Sequence, residues 1–228
     1  MISCLRLGEP TWATGYPRMS AVTSILCVLA AYLIGSVSFA IVASRLFRLP
    51  DPRTYGSGNP GATNVLRSGK RAAALCTLLG DIGKGFVAVA FARGLAPVLG
   101  FGETTVAACA LGVFLGHLYP AYFRFKGGKG VSTALGILLG LSPWLALAAS
   151  VTFVAVAALT RYASLASIVA AVIAAGLSPL VLSWGPISAV LILVAALVIW
   201  RHRSNVLRLW SGTESKLVLG RGETPPPA

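Results

Sequence analysis

The chain alternates long apolar runs with short polar interruptions. Apolar segments cover about 21–44, 72–92, 104–119, 131–159, 163–182 and 186–200. An α-helix crosses the roughly 30 Å hydrocarbon layer of a bilayer with about 20 apolar residues. The pattern therefore predicts an all-α integral membrane protein. The longest run, 131–159, carries Ser142-Pro143 at its middle. Proline disfavours helix in the residue before it and breaks the interior hydrogen-bond ladder. Two helices are expected there, about 129–141 and 143–159. The first is only about 20 Å long at 1.5 Å per residue, which predicts a short, buried, partly re-entrant helix.

The polar interruptions are unequal. Residues 45–71 hold Arg45, Arg48, Arg53, Arg67, Lys70 and Arg71; residues 120–130 hold Arg124, Lys126 and Lys129; residues 201–228 hold Arg201, Arg203, Arg208, Lys216 and Arg221. These three segments contain fourteen of the nineteen basic residues, whereas the turns near 93–103 and 183–186 are nearly uncharged. Basic loops stay on the cytoplasmic side, so all three are expected there. Parity then fixes a count. With 45–71 and 120–130 inside and the C-terminus inside, the run 131–159 must supply two crossings. The expectation is a seven-transmembrane-helix bundle with its N-terminus outside and its C-terminus cytoplasmic. Residues 1–19 read as a disordered N-terminal tail, with Met19 an alternative start to Met1. Residues 20–219 read as the membrane-integral domain, and 220–228 as a disordered Pro-rich tail. The run after Met19 is long enough to span and does not resemble a cleaved signal peptide.

Composition excludes a water-soluble domain. Of 228 residues, 56% are hydrophobic and 11% charged, with a mean hydropathy of +0.81. Soluble domains carry about 25% charged residues. The formal net charge of +13 has two readings, membrane topology or an anionic ligand. Cys4, Cys27, Cys76 and Cys109 show no metal or disulfide spacing and read as small hydrophobes.

Three basic clusters carry candidate chemistry. Gly56-Ser57-Gly58-Asn59-Pro60-Gly61-Ala62-Thr63-Asn64-Val65-Leu66-Arg67 reads as a structured loop. Asn59 suits a helix cap and Pro60 a first helical position, which would leave backbone N–H groups for an anion. Ser57 adds a hydroxyl, and Arg67 a fork suited to phosphate. The bland alternative is a cytoplasmic turn with topogenic arginines. The second cluster, Phe125-Lys126-Gly127-Gly128-Lys129-Gly130-Val131, opens directly into a helix. Glycine amides can converge on an oxyanion while the lysines supply charge. Walker A spacing is absent, so no nucleotide is expected; the alternative is a flexible turn. In the third, Trp200 to Trp210, His202 and Asn205 stand three apart and share a helix face. An interfacial helix with a Trp and Arg belt is the alternative.

Inside the second span, Asp81 and Lys84 are three apart, and their opposite signs predict a mutual ion pair facing the bundle interior, with a role in the polar pocket as the alternative. His117, in the third span, reads as a packing residue. The sequence holds no nucleophile arrangement and no metal constellation. Its loops offer few carboxylates, so an acidic general base or a covalent intermediate is poorly supported.

These residues resemble the bacterial acyl-phosphate:glycerol-3-phosphate acyltransferases over about 21–219. The segment 56–67 resembles the family's first motif. Gly116-His117-Leu118-Tyr119-Pro120 with 125–131 resembles its second, and Trp200-Arg-His-Arg-Ser-Asn-Val-Leu-Arg-Leu with Gly212-Thr213-Glu214 its third. Arg161 to Ser167 also resembles a family segment. The departures, an extra N-terminal tail and the prolines at 225–227, touch no motif. The resemblance implies transfer of a fatty acyl group from acyl phosphate to the 1-hydroxyl of sn-glycerol 3-phosphate, at a site open to the cytoplasm of the bacterial cell membrane. It implies His202, Asn205 and Lys129 as catalytic residues. Ser57, Arg67, Asn64, Gly127, Gly128 and Gly130 are implied as substrate-binding, with acyl phosphate on the three glycines. Glu214 is expected to hold the C-terminal loop. No cofactor, nucleic acid or obligate protein partner is implied; membrane lipids surround the bundle. Arg45, Arg48 and Arg71 are then topogenic. Two rivals stand beside this reading. An organic-phosphate transporter would want inverted repeats, and none is found. A membrane scaffold would not need the ordered glycine loops.

Overall fold

The computed structural model describes residues 21–100 and 102–217. The tails expected at 1–19 and 220–228 lie outside the described residues. The elements are α1 (Ala21–Gly35), α2 (Phe39–Leu46), α3 (Ala62–Leu66), α4 (Arg71–Leu99), α5 (Glu103–Leu118), a short 3-10 turn (Ala121–Phe123), α6 (Val131–Leu141), α7 (Pro143–Thr160), α8 (Ala163–Leu182), α9 (Pro186–Arg201) and α10 (Arg203–Trp210). Among the described residues the fold is all-helical. Four helices are long and apolar enough to cross a membrane, or six spans if the bent pairs α1–α2 and α9–α10 each count as one; α6 is a shorter apolar helix.

The first apolar run, expected as one continuous span, is broken. Residues 36–38 leave the helix, and α2 departs at 40° from α1. Polar partners hold the break open. Ser36 Oγ donates to Tyr32 O at 2.9 Å and accepts from Ala121 N at 3.2 Å, while Val37 O accepts from Lys84 Nζ at 2.7 Å. A second difference lies at the end of α4, which runs to Leu99 rather than to about 92. Arg93, expected in a turn, is helical because its charge is satisfied there: Nη1 donates to Gly140 O at 2.7 Å and Leu141 O at 2.9 Å.

That arginine caps the C-terminus of α6, where orphan carbonyls favour a cation. The split of 131–159 occurs where expected. Ser142 Oγ accepts from Leu145 N at 3.5 Å, and Pro143 takes the first position of α7. At eleven residues, α6 is indeed short.

Helix directions follow from side-chain register. Ser24 meets Thr105, and Gly116 packs on Tyr32 O, so α1 and α5 run the same way. Gly136 packs on Ile82 O, and Arg93 reaches Leu141, so α4 and α6 are also parallel. At both crossings an added Cβ would strike the facing backbone; small residues let membrane helices approach that closely. Central α5 touches α1, α4, α6 and α9. Phe114, Leu118, Ile137, Leu145 and Val198 are fully buried in the resulting core. Trp144, Trp184 and Trp210 are exposed near helix ends, as interfacial tryptophans are.

Candidate active site

The loop before α3 is organised from within. Asn64 is buried, and its amide is committed to backbone: Oδ1 accepts from Ser57 N at 2.9 Å, and Nδ2 donates to Pro52 O at 2.7 Å and Tyr55 O at 3.2 Å. Asn64, expected among the substrate-binding residues, therefore shapes the loop. The helix also begins later than expected. Gly61, not Asn59, occupies the cap, with no side-chain cap bond, and Pro60 lies ahead of it. Ser57 and Arg67 are exposed.

The glycine loop is fixed by close packing on the end of α5. Gly128 N donates to His117 O at 3.2 Å, so this amide is not free for an anion. A Cβ on Gly128 would meet His117 Nε2, and one on Gly127 would meet His117 O and Pro120. Gly130 has φ +85 and faces the Phe114 ring, a conformation and a space that both exclude a side chain. The loop carbonyls are gathered by Arg201, which donates to Gly127 O at 3.0 Å and Gly128 O at 3.0 Å. This holds the loop against the end of α9.

The third cluster turns at His202, where α10 departs at 54° from α9. His202 is buried, with Nδ1 2.8 Å from Val198 O. A carbonyl only accepts, so Nδ1 carries the proton and Nε2 keeps its lone pair. Burial pushes this imidazole down to about 4, ahead of a smaller opposing effect of the Val198 bond. Lys129 Nζ donates to Asn205 Oδ1 at 2.5 Å, and Asn205 Nδ2 donates to Glu214 Oε1 at 2.6 Å. Glu214 also accepts from Ser164 Oγ at 2.7 Å and Arg208 Nε at 2.7 Å. Burial alone raises the Glu214 carboxyl, but these three donors outweigh it and hold it below its ordinary value. The segment carrying Glu214 is tied down further by Leu217, whose N donates to Arg161 O at 2.7 Å.

Lys129 is the focus of the charge. Burial is the main cause that lowers its ammonium to about 8; Glu214 opposes the shift, and Arg208, Arg201 and Arg67 add to it. One carboxylate thus faces four cations. The structure brings together Lys129, His202, Asn205 and the charge of Arg67, and places the glycine loop beside them. Arg201, Ser164 and Arg208 were missed as site-building residues. Arg201 and Arg208 read as interfacial charges, because nothing in the local sequence shows that they reach back to loop carbonyls or to Glu214.

A second polar cluster lies deeper. The expected ion pair is present, with Lys84 Nζ 2.8 Å from Asp81 Oδ1 and both side chains buried. His117, expected as a packing residue, joins it, with Nδ1 3.5 Å from Asp81 Oδ1.

Among the described residues, an all-helical bundle with several helices long and apolar enough to cross a membrane gathers an excess of cations around a half-buried lysine, which defines a multi-pass membrane protein. The glycerol-3-phosphate acyltransferase family model matches residues 25–212. The chain is 57% identical over 195 residues to the glycerol-3-phosphate acyltransferase of Nitrosospira multiformis, covering 86% of this chain and 96% of that one. It is 52% identical over 193 residues to that of Thiobacillus denitrificans, covering 85% and 96%. The crystal structure of PlsY (YgiH), an integral membrane glycerol 3-phosphate acyltransferase, in its glycerol 3-phosphate form matches with a TM-score of 0.80 at 35% identity, covering 86% of this chain and 96% of that one. Its lysophosphatidic acid form matches with a TM-score of 0.78 at 34% identity and the same coverage. The chain belongs to the glycerol-3-phosphate acyltransferase family.

Proposed function

We infer that the chain works as a glycerol-3-phosphate acyltransferase that takes its acyl group from acyl phosphate. The 1-hydroxyl oxygen of sn-glycerol 3-phosphate attacks the acyl carbon, the bond from that carbon to the phosphate oxygen breaks, and 1-acyl-sn-glycerol 3-phosphate and phosphate leave. The observation that carries this reading is the excess of cations around Lys129, with Asn205 and Glu214 fixing where its ammonium points. Both substrates carry phosphate, and the donor is already activated. The residues need only to place two anions in line and to neutralise the charge that develops on the leaving phosphate. Lys129 and Arg67 suit that task. Gly127 and Gly130 offer the seat for the acyl phosphate, with Gly128 as its packed floor because its amide is taken by His117. Ser57 lies on the loop that presents Arg67.

The hydroxyl proton has two acceptors within this scheme. A neutral His202 with its imidazole near 4 is a weak base. A phosphate monoester oxygen, with a second pKa of about 6, takes the proton more readily. His202 Nε2 is then left to accept a hydrogen bond from the 2-hydroxyl of glycerol 3-phosphate, which orients the acceptor.

The same reading places seven crossings in the bacterial cell membrane, with the site toward the cytoplasm. The parallel pairs α1/α5 and α4/α6, the turn at Ser142-Pro143, and the gathering of the basic segments at one end support it. The test is phosphate release by the purified protein from acyl phosphate, dependent on glycerol 3-phosphate. Release that is absent from the wild type, or undiminished in Lys129→Ala and Arg67→Ala, overturns the reading.

A further inference from the structure

The Asp81–Lys84–His117 cluster stands outside the chemistry above, yet it underlies the glycine loop. His117 meets that loop twice. Its carbonyl accepts from Gly128 N at 3.2 Å, and its Nε2 occupies the space that a Gly128 Cβ would need. Its Nδ1 lies 3.5 Å from Asp81 Oδ1, an electrostatic contact longer than a made hydrogen bond, with the ring packed under Gly128. Asp81 is held in turn by Lys84 at 2.8 Å, and Lys84 also donates to Val37 O in the break between α1 and α2. Four separate pieces of chain, the α1–α2 break, α4, α5 and the glycine loop, thus meet through three polar side chains.

Stability does not explain this arrangement. Charged groups within a membrane span are costly. A buried ion pair is often no more stabilising than well-packed apolar residues of the same volume. What three polar groups supply, and apolar ones do not, is an electrostatic contact that biases how the imidazole sits beneath the loop. We propose that Asp81, Lys84 and His117 are positioning residues that set the height and tilt of Gly128, and hence the seat for a substrate phosphate. The inference rests on the reading that the glycine loop holds that phosphate.

The test uses full-length protein purified in detergent, with kcat and KM measured separately for acyl phosphate and glycerol 3-phosphate, and with thermal unfolding recorded alongside. Gly128→Ala identifies which substrate sits on the loop, as the one whose KM rises. Asp81→Asn, which keeps side-chain volume, and His117→Leu, which comes close to it, sever the link and are expected to raise the same KM about tenfold, the scale seen when partners that orient a binding group are removed. The other KM and kcat are expected to stay within about twofold. The double variant Asp81→Asn/Lys84→Met removes both charges together; it is expected to fold and to show the same KM signature should Asp81→Asn alone unfold. If Gly128→Ala raises one KM while the cluster variants change only the melting temperature, the cluster is merely structural and the inference fails. If Gly128→Ala leaves both KM values unchanged, the seat on the glycine loop is wrong and the inference falls with it.

Discussion

Two polar clusters in this bundle use similar parts to opposite ends. In the deep one, the lysine is matched: Lys84 faces Asp81 at 2.8 Å and a backbone carbonyl at 2.7 Å, and both charged side chains are sealed. In the shallow one, the lysine is overmatched by its own sign. Lys129 is half-buried, bonded to a neutral amide, and surrounded by Arg67, Arg201 and Arg208 with Glu214 alone opposing them. In the deep cluster the charges pair with each other, although Asp81 Oδ1 and His117 Nδ1 make no hydrogen bond. The shallow, unmatched one keeps a net positive charge, which the proposed function assigns to a phosphate. Glu214 makes the difference plain, because three donors already claim its oxygens. It orients Asn205, and through Asn205 the ammonium of Lys129.

The largest expected effect comes from emptying the unmatched cluster. Lys129→Ala is expected to lower kcat/KM by about 10³-fold, the upper range for losing one donor aimed at developing charge. The protein should keep its melting temperature within a few degrees; a fall of less than tenfold in kcat/KM would erase the distinction between the two lysines.

Next in size is a change that adds an acid to the shallow cluster. Asn205→Asp replaces the Nδ2 donor, 2.6 Å from Glu214 Oε1, by a second carboxylate oxygen. Like charges at that distance repel, and one carboxyl must protonate or move. A loss of about 10²-fold in kcat/KM is expected, with partial recovery below pH 6 as one carboxyl protonates. A pH-independent loss would place the role of Asn205 elsewhere.

The third prediction concerns pH. Lys129 has its folded-state value at about 8, below the lysine reference. Its ammonium is present below pH 8 and lost above it. The KM of the phosphate substrate it contacts is therefore expected to rise about fivefold between pH 8 and pH 9. Lys129→Arg should flatten that rise. The linkage to stability has its own sign. The unfolded chain binds this proton more readily between pH 8 and its ordinary value, so the contribution of this group to stability increases with pH across that window. Inhibition kinetics with inorganic phosphate across the same range provide an independent check.

The smallest effect lies far from either cluster. Arg93→Ala leaves the C-terminal carbonyls of α6 without their donor. A fall of about 2–4 °C in melting temperature is expected, with KM values unchanged. A change in KM instead would mean that the far end of α6 is coupled to the glycine loop.

Much of this was legible along the chain. The apolar runs and the Ser142-Pro143 stop predict α4 to α9 closely, since a helix in lipid must satisfy its own backbone and needs a stated length to cross. The pairing of Asp81 with Lys84 followed from their spacing of three. Other features were not readable. The break at 36–38 lies in an apolar run and depends on Lys84, 47 residues away. Arg93 sits in what reads as a turn until α6 supplies its partners.

The sequence by itself determined that the chain is a helical membrane protein, and it pointed to the basic motifs that the proposed function uses. These are properties of local composition and spacing, and a bilayer leaves them few alternatives. Only the tertiary structure decided what each polar residue does. It turned Asn64 into a loop brace, Arg201 into a clamp on the glycine loop, and His117 from packing into a link between Asp81 and Gly128. The physical reason is that a polar group's role is set by its partner, and Pro52, Gly127 and Asp81 lie 12, 74 and 36 positions from Asn64, Arg201 and His117, at distances that no helical period encodes.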